Sequence, residues 1–537
     1  MNARARRAIF VVTLFFAVCA LAGSFLQRTV GAQSSEDESQ LRDNLKSFTS
    51  VYALVEQNYV EPLNADRTDS VIYDGAIPGM LRVLDPHSNF YDPKAYARMR
   101  EDQRGRYYGV GMVIQQQNNK TYVITPYENT PSFRAGIKPG DVIAAVDGKS
   151  TDGMTSDLVA KMLKGPKGTH VHVTIVRLGQ PKPLEFDLIR DEIPHPSIDL
   201  AYEIRPGVAY IHISQFQETT GQEFQNALNS FSNLKGLVLD LRGNPGGLLS
   251  QAVDVCDRLL AKGQTIVTQR GRAYPDQNYV AVHGNGGRTF PIVVLVNRNT
   301  ASAAEIVSGA LQDHDRALIV GETTFGKGLV QTVYNLSNNS GLALTTYHYY
   351  TPSGRLIQRN YSGVSLYDYY YNHAGALPSN STNREVKLTD SGRTVYGGGG
   401  ITPDEKIESP KSNDFQDNLI YHSVFFHFAA HYLANRTVDN NFQVDDAVLK
   451  DFEQFLTSQN IPWTQAGIDG VKDWIKVSIK EKIVTSQFGQ LQGLRVLADW
   501  DPMIQKAISF LPEAQALENN AHKVRLEKAE ARNTTPQ

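Results

Sequence analysis

Three apolar runs, Gly236–Leu241, Pro291–Val296 and Ala317–Gly321, constrain this chain more than any other feature. Each is short and almost uniformly apolar, the pattern of a strand buried on both faces. Such strands occur where helices cover both sides of a parallel sheet. The segments around them carry helical patterns: Phe224–Phe231 before the first run, a stretch to Leu260 after it, and Ser302 to Leu311 after the second. Val208–Ile213 reads as a further strand. This alternation predicts α/β crossover units over about 191–360. In such sheets functional groups collect at the carboxyl ends of the strands.

The flanking segments have other characters, and 537 residues suit several domains. Over about 40–103, Leu41, Leu45, Phe48, Val51, Tyr52 and Val55 recur at helical spacing, and the region closes at Leu84-Asp85-Pro86-His87-Ser88, where Asp-Pro stops a helix. Residues 104–190 read as a compact, mostly β module. Its expected strands are Val110–Ile114, Thr121–Pro126, Val142–Val146, His170–Arg177 and Leu184–Ile189, with one helix, Ser156–Leu163. Residues 361–400, rich in Tyr, Asn, Ser and Gly, read as a surface loop or flap, and 411–537 as a helical extension. The expected fold is therefore a multidomain α+β and α/β chain: a crossover core over 191–410, an inserted β module, and helical N- and C-terminal regions.

A net charge of −3 leaves no broad basic surface for nucleic acid. At the N-terminus, Arg4, Arg6 and Arg7 precede an uncharged run from Ala8 to Leu26 and then an acidic, Ser-rich stretch from Ser34. That order is the order of a secretory signal over 1–32, with small residues at Val30-Gly31-Ala32 for cleavage. The run is also nearly long enough for an uncleaved membrane anchor. Either outcome places the remaining chain outside the cytoplasm, in a periplasm or cell envelope. Of the two cysteines, Cys19 lies in the exported segment, so Cys256 has no intrachain partner in a mature chain. Its apolar helical surroundings read as those of a buried structural thiol. No His/Cys cluster has metal-ligand spacing, and neither a metal nor a cofactor is implied.

Two strand exits carry candidate chemistry. Ser302 lies in Asn299-Thr300-Ala301-Ser302-Ala303-Ala304-Glu305, and Lys327 in Thr324-Phe325-Gly326-Lys327-Gly328-Leu329-Val330-Gln331. A serine hydroxyl is a weak nucleophile until a base takes its proton. A lysine does so only when neutral, which requires its pKa to fall from about 10.4 to roughly 7–8 through burial. The apolar flanks of Lys327 suit that demand. Ser302 stands at a predicted helix start, where the unpaired Ala303 N–H would stabilise an oxyanion, and Gly246 or Gly247 of the Asn244-Pro245-Gly246-Gly247 turn offers a second donor. Gln331, four residues after Lys327 in an extended segment, shares its face and would hold the amine. Each feature has a plainer reading alone: a capping box from Ser302 to Glu305, a solvated lysine, a turn, a surface amide. Their conjunction at strand exits favours chemistry. Gly321 to Lys327 also matches the opening of a P-loop, but Gly328 replaces the required Ser or Thr and a strand follows in place of a helix. A Ser-His-Asp triad using His212, His283, His314 or His348 is the other rival, and none of these lies in a glycine-bounded turn.

Leu239-Asp240-Leu241-Arg242-Gly243-Asn244-Pro245-Gly246-Gly247, the Ser302 segment and the Lys327 segment resemble, in order, the motifs of the carboxyl-terminal processing peptidases, or tail-specific proteases. Leu84-Asp85-Pro86-His87-Ser88, Tyr350-Thr351-Pro352-Ser353-Gly354-Arg355 and Gly400-Ile401-Thr402-Pro403-Asp404 extend the likeness over about 40–410. The resemblance implies a serine endopeptidase in which Ser302 is the nucleophile, Lys327 the general base and Gln331 its orienting partner. The Ala303 amide and a glycine amide, Gly247 in preference to Gly246, would form the oxyanion hole. It further implies that 104–190 is a PDZ domain, whose carboxylate-binding loop would be Tyr108-Gly109-Val110-Gly111-Met112. Protein or peptide substrates held by their C-termini are the implied partners, with the PDZ domain presenting them to Ser302 or gating the dyad. A PDZ scaffold or chaperone with an inactive core is the alternative, and the intact Ser302, Lys327 and Gln331 argue against it. Residues 411–537 match the common motifs poorly; a homodimer interface, an adaptor surface and a cover for the core all remain open for them.

Overall fold

A computed structural model describes residues 38–373 and 384–534. They fall into two compact units, divided between Leu84 and Asp85. The first unit is helical: a helix over 38–58, then Ala65–Ser70, a π-helical turn Val71–Ala76, and Ile77–Arg82. The apolar stripe from Leu41 to Val55 lies in the first of these helices, as its spacing predicts. Residues 1–32, the expected secretory signal or anchor, lie outside the described residues.

The second unit opens with the Asp85–Ser88 turn and the helix Pro93–Arg104. Asp92 starts that helix by accepting the Ala95 N–H at 2.7 Å, and Gly105, at φ +66°, ends it in the left-handed conformation. The core is a six-stranded sheet in the order Ile198–Arg205, Val208–Ile213, Gly236–Asp240, Ile292–Val296, Leu318–Gly321 and Glu405–Lys406. The first pair is antiparallel and every later pair parallel. Alternate residues divide between its two faces. Ile211, Leu239, Val294 and Ile319 pack under the helices Thr220–Ser230, Leu249–Asp257 and Ala303–Asp313. Tyr210, Val238, Val293, Leu295 and Val320 face the opposite way, onto Ala498, Ile504, Ala507 and Leu511 of the C-terminal helices. The later part of the extension thus covers the core. Its earlier part has a hydrophobic centre of its own, built on Leu419, Phe428, Phe452, Ile475 and Ile479.

A second, antiparallel sheet joins Asn89–Tyr91, Gly341–Tyr350, Thr265–Arg270, Gln277–Val280 and Leu329–Asn335. It carries the chain onward from Lys327. The β module forms a separate sheet of Met112–Gln117, Lys120–Pro126, Val142–Val146, His170–Val176 and Leu184–Ile189, in that order, with Lys149–Ser150 paired to Val142–Val146. Its helix is Ser156–Leu163. The expected first strand begins at Met112 rather than Val110, because Val110 and Gly111 are drawn into a loop. The Ser132 N–H donates to the Val110 carbonyl at 3.0 Å, and the Ser132 hydroxyl to the Gly111 carbonyl at 2.6 Å. Helix Val424–Leu433 of the extension meets this module: Gln117 Nε2 donates to Ser423 Oγ at 2.6 Å, and His427 lies 2.6 Å from Gln117 Oε1.

The β module also holds a buried ion pair. Asp141 is 1% exposed. It accepts two hydrogen bonds from Arg177, both at 2.7 Å, and the Lys138 N–H at 2.8 Å. Removing the carboxylate leaves a guanidinium without its partner, a loss of about 3–5 kcal/mol. Asp141→Ala should therefore unfold this module at lower urea than the rest of the chain, a separation that fluorescence and far-ultraviolet dichroism will resolve.

Candidate active site

Ser302 sits where the loop after Ile292–Val296 meets the loop after Gly236–Asp240. Thr300 joins the two, accepting the Asn297 N–H at 2.9 Å and donating its hydroxyl to the Leu241 carbonyl at 2.8 Å. The Ala301 N–H donates to the Asn244 carbonyl at 2.9 Å. Ser302 itself has φ +55° and ψ −115°, a conformation that costs a non-glycine residue of order 1–3 kcal/mol. The helix Ala303–Asp313 begins at the next residue, and Tyr349 donates its hydroxyl to the Ser302 carbonyl at 3.2 Å.

Glu305, fully buried in the first turn of that helix, joins this loop to the one bearing Lys327. Its Oε2 accepts the N–H of Ser302 at 2.8 Å and the N–H of Lys327 at 2.9 Å. The two backbone nitrogens are thus no further apart than the two bonds laid end to end. Its Oε1 accepts the Gly326 N–H at 2.7 Å and the Thr324 hydroxyl. The capping box expected from Ser-x-x-Glu is therefore one part of a wider network. Burial pushes the Glu305 carboxyl up, and the four donors hold it back.

Lys327 is half-buried. Desolvation drives its ammonium down to about 8, against the charges of Glu305 and Asp85, which pull it up. Among the described residues it forms no ion pair, so burial prevails. Gln331 donates its side-chain amide to Thr345 Oγ1 at 3.1 Å and makes no hydrogen bond to Lys327. Gly246 abuts the serine: a Cβ there would lie 2.7 Å from the Ser302 Cβ. Its N–H is committed to Asn244 Oδ1 at 2.8 Å. The Ala303 and Gly247 amides find no protein acceptor among the described residues.

The histidines of the rival triad are engaged elsewhere. His212 bonds Asp199, His283 bonds Asp257, and His314 bonds Asp390 and the Thr265 carbonyl, while His348 is exposed. Lys327 leads into the strand Leu329–Asn335, which no P-loop does. Among the described residues no group of His, Cys, Asp and Glu is arranged to hold a metal. Cys256 is buried, and burial raises its thiol well above the ordinary value. Sequence reasoning missed the part played by Glu305, and it left Asp85 and His87 as bare motif residues. An acidic residue inside the apolar run Ala303–Leu311 was the available signal for the first.

In the β module, Gly111 has φ +81°, and a Cβ would lie 2.4 Å from the Thr130 Cβ. The carbonyls of Val110 and Gly111 are fastened inward, while their N–H groups find no protein acceptor among the described residues. Gly109 ends the strand Arg106–Gly109, where the exposed Tyr108 donates to Glu192 at 3.3 Å. Met112 opens the end strand of the module's main sheet, which has one edge unpaired among the described residues and the helix Ser156–Leu163 nearby. The helix Pro93–Arg104 bridges from here toward the core: Glu101 pairs with Lys164 at 2.8 Å and Arg98 with Asp157 at 3.1 Å. The same helix, through Ala95, Arg98, Met99 and Asp102, lines a cleft of about 550 Å³ that ends at Phe216, Gly246 and Gly247.

Comparison with known proteins agrees with this architecture. The family "Peptidase family S41" matches residues 207–365, "PDZ domain" matches 99–176, and "Probable PDZ-protease, C-terminal helical domain" matches 415–467. A carboxy-terminal-processing protease of Bartonella bacilliformis is 40% identical over 349 residues, covering 63% of this chain and 79% of that protein. A carboxyl-terminal-processing protease of Synechocystis is 38% identical, covering 56% of this chain and 71% of the relative. The solved structure of a photosystem II D1 C-terminal processing protease aligns with 67% of this chain and 92% of its own, at 29% identity and a TM-score of 0.33. The chain belongs to the carboxy-terminal processing proteases, serine peptidases of family S41 that carry a PDZ domain.

The contact between Gly246 and Ser302 is directly testable. Gly246→Ala sets a methyl against the Ser302 side chain at a φ of +103°, which alanine tolerates poorly. With Ser302 as the expected nucleophile, proteolytic kcat/KM should fall by about 10²-fold or more, since misplacing a reacting group by about 1 Å costs that much. The thermal melting of the chain should change far less.

Proposed function

We propose that this protein is an exported serine endopeptidase that cleaves proteins near their C-termini through a Ser302/Lys327 dyad. The observation that carries the reading is the desolvated Lys327 amine, held down to about 8, on a loop that Glu305 joins to the loop of Ser302. As Ser302 Oγ attacks the scissile carbonyl carbon, the neutral amine takes its proton. The Ala303 and Gly247 N–H groups stabilise the oxyanion of the tetrahedral intermediate, each worth about 10²–10³ in rate. The Lys327 ammonium then protonates the departing amine, leaving an acyl-enzyme on Ser302. Water enters and attacks the ester as Lys327 takes its proton, and the resulting ammonium returns that proton to Ser302 Oγ as the ester bond breaks, which frees the serine and the carboxylic acid product. Gln331 bonds Thr345 on the neighbouring strand Gly341–Tyr350 and acts on the amine by steadying the strand that follows Lys327.

The loop Tyr108–Met112 and the free edge beside it suit an extended chain ending in a carboxylate. The cleft along Pro93–Arg104 offers such a chain a route to Gly247. The order of residues within 1–32 supports export, with that segment either removed or kept as an anchor. The surface of 411–484 that does not meet the PDZ domain is available to a second copy or an adaptor.

Digestion of an unfolded protein tests the dyad. Wild type should cleave it, and both Ser302→Ala and Lys327→Ala should lose at least about 10³-fold in rate. Equal cutting by Ser302→Ala contradicts the reading, and an inert wild type favours a scaffold or chaperone. Because the active amine is the deprotonated form, its fraction falls about tenfold per pH unit below the folded pKa. The rate should therefore climb from pH 6 and level off above about 8, where Lys327 titrates. A peptide substrate and its C-terminally amidated twin should differ in KM, the free carboxylate binding more tightly.

A further inference from the structure

The Asp85–Ser88 turn adjoins the site, yet no step above uses it. The buried Asp85 carboxylate accepts the N–H groups of His87 and Ser88 and the Ser88 hydroxyl, each at 2.7 Å. Ser88 Oγ accepts the Thr345 N–H at 3.1 Å, and Thr345 Oγ1 is the acceptor for Gln331. The turn is thereby tied to the strand that follows Lys327. His87 is fixed from its other side. Its Nε2 lies 3.0 Å from the Tyr369 hydroxyl and its Nδ1 3.3 Å from that of Tyr370, which donates to the Pro86 carbonyl at 2.6 Å. Tyr369 also accepts Gln358 Nε2 at 3.1 Å, and Gln358 Oε1 accepts the N–H of Gly328, next to Lys327, at 2.8 Å. The ring meets Phe325 and Tyr369 edge-on, with centroids 6.3 and 5.6 Å away.

We propose that Asp85, His87 and Ser88 are positioning residues of the active site: the imidazole of His87 walls the Lys327 amine off from water, and the Asp85 carboxylate locks the turn that holds the wall. The inference rests on Lys327 acting as the general base. The charged groups around the amine are Glu305 from the helix and Asp85 from the turn, while the Arg359 guanidinium, stacked on Phe325 and Tyr369, acts on His87. Burial, with the charges of Lys327 and Arg359, holds His87 down at about 3, so the wall is neutral wherever the enzyme would work. A wall without charge excludes water and adds no field that would fix the lysine's protonation state. Anchored at both nitrogens, the ring cannot swing away.

The test is the pH dependence of kcat/KM in wild type, His87→Ala and His87→Phe, with dichroism and melting curves for each. It is paired with NMR titration of the Lys327 Nζ in a Ser302→Ala background. His87→Ala should move the acidic limb up by about one pH unit or more, a loss of about tenfold at pH 7, with the high-pH plateau within about threefold of wild type. The Nζ titration should move the same way. His87→Phe keeps the ring and should keep the midpoint. If His87→Ala does not fold, His87→Asn carries the same expectation. An unmoved midpoint with a lowered plateau, or an equal shift in His87→Phe, overturns the proposal while leaving the dyad intact. A wild-type Lys327 that titrates near the ordinary lysine value overturns both.

Discussion

The carboxylate of Glu305 is the point on which the site depends. Four donors from two loops converge on it, and without it nothing would oblige the backbones of Ser302 and Lys327 to share one oxygen. A buried ion of this kind is costly unless its lone pairs are satisfied. Here they are satisfied by N–H and O–H groups and not by the nearby ammonium. That choice matters to the chemistry, because a direct ion pair would hold Lys327 protonated. Glu305 still pulls the lysine upward through space, and desolvation outweighs it.

The sheet supplies the geometry on which Glu305 acts. Parallel neighbours Gly236–Asp240, Ile292–Val296 and Leu318–Gly321 end side by side, so three successive loops emerge at one edge. One brings Asn244 to Gly247, the next Ser302, and the third Lys327. Glycine is required where these loops press together, since a side chain at Gly247 would collide with the Phe216 carbonyl and one at Gly246 with Ser302 itself. The helices of 490–517 cover the far face of the same sheet. Arg242, beside the Asn244 loop, also pairs with Asp501 at 2.9 Å, which makes the extension part of the catalytic unit's support.

The core strands were legible because burial on both faces leaves an unbroken apolar run, and Ser302 and Lys327 because they follow such runs directly. Other elements were not legible, for identifiable reasons. The hairpin Thr265–Arg270 and Gln277–Val280 is polar on much of its surface and exists by pairing with Gly341–Tyr350, far along the chain. The first PDZ strand starts two residues later than its apolar pattern, because the Ser132 bonds that pull Val110 and Gly111 out of it come from a later turn. The sequence marks His87 as part of a helix-stopping and family-like motif but not its contacts, since its partners Tyr369 and Tyr370 lie some 280 residues on, within a stretch that reads as loop. Local pattern reports which segments are buried and extended. It does not report which distant polar groups meet.

In the proposed mechanism, burial makes Lys327 a base for Ser302 near neutral pH. The most direct measurement of that role is the rate at which a fluorophosphonate labels Ser302, followed by intact-protein mass between pH 5 and 10 in wild type and Lys327→Ala. Labelling should add one phosphonyl group, rise with a midpoint near 8 and be lost in Lys327→Ala. A labelling rate that is flat with pH, or that survives the loss of Lys327, would contradict it.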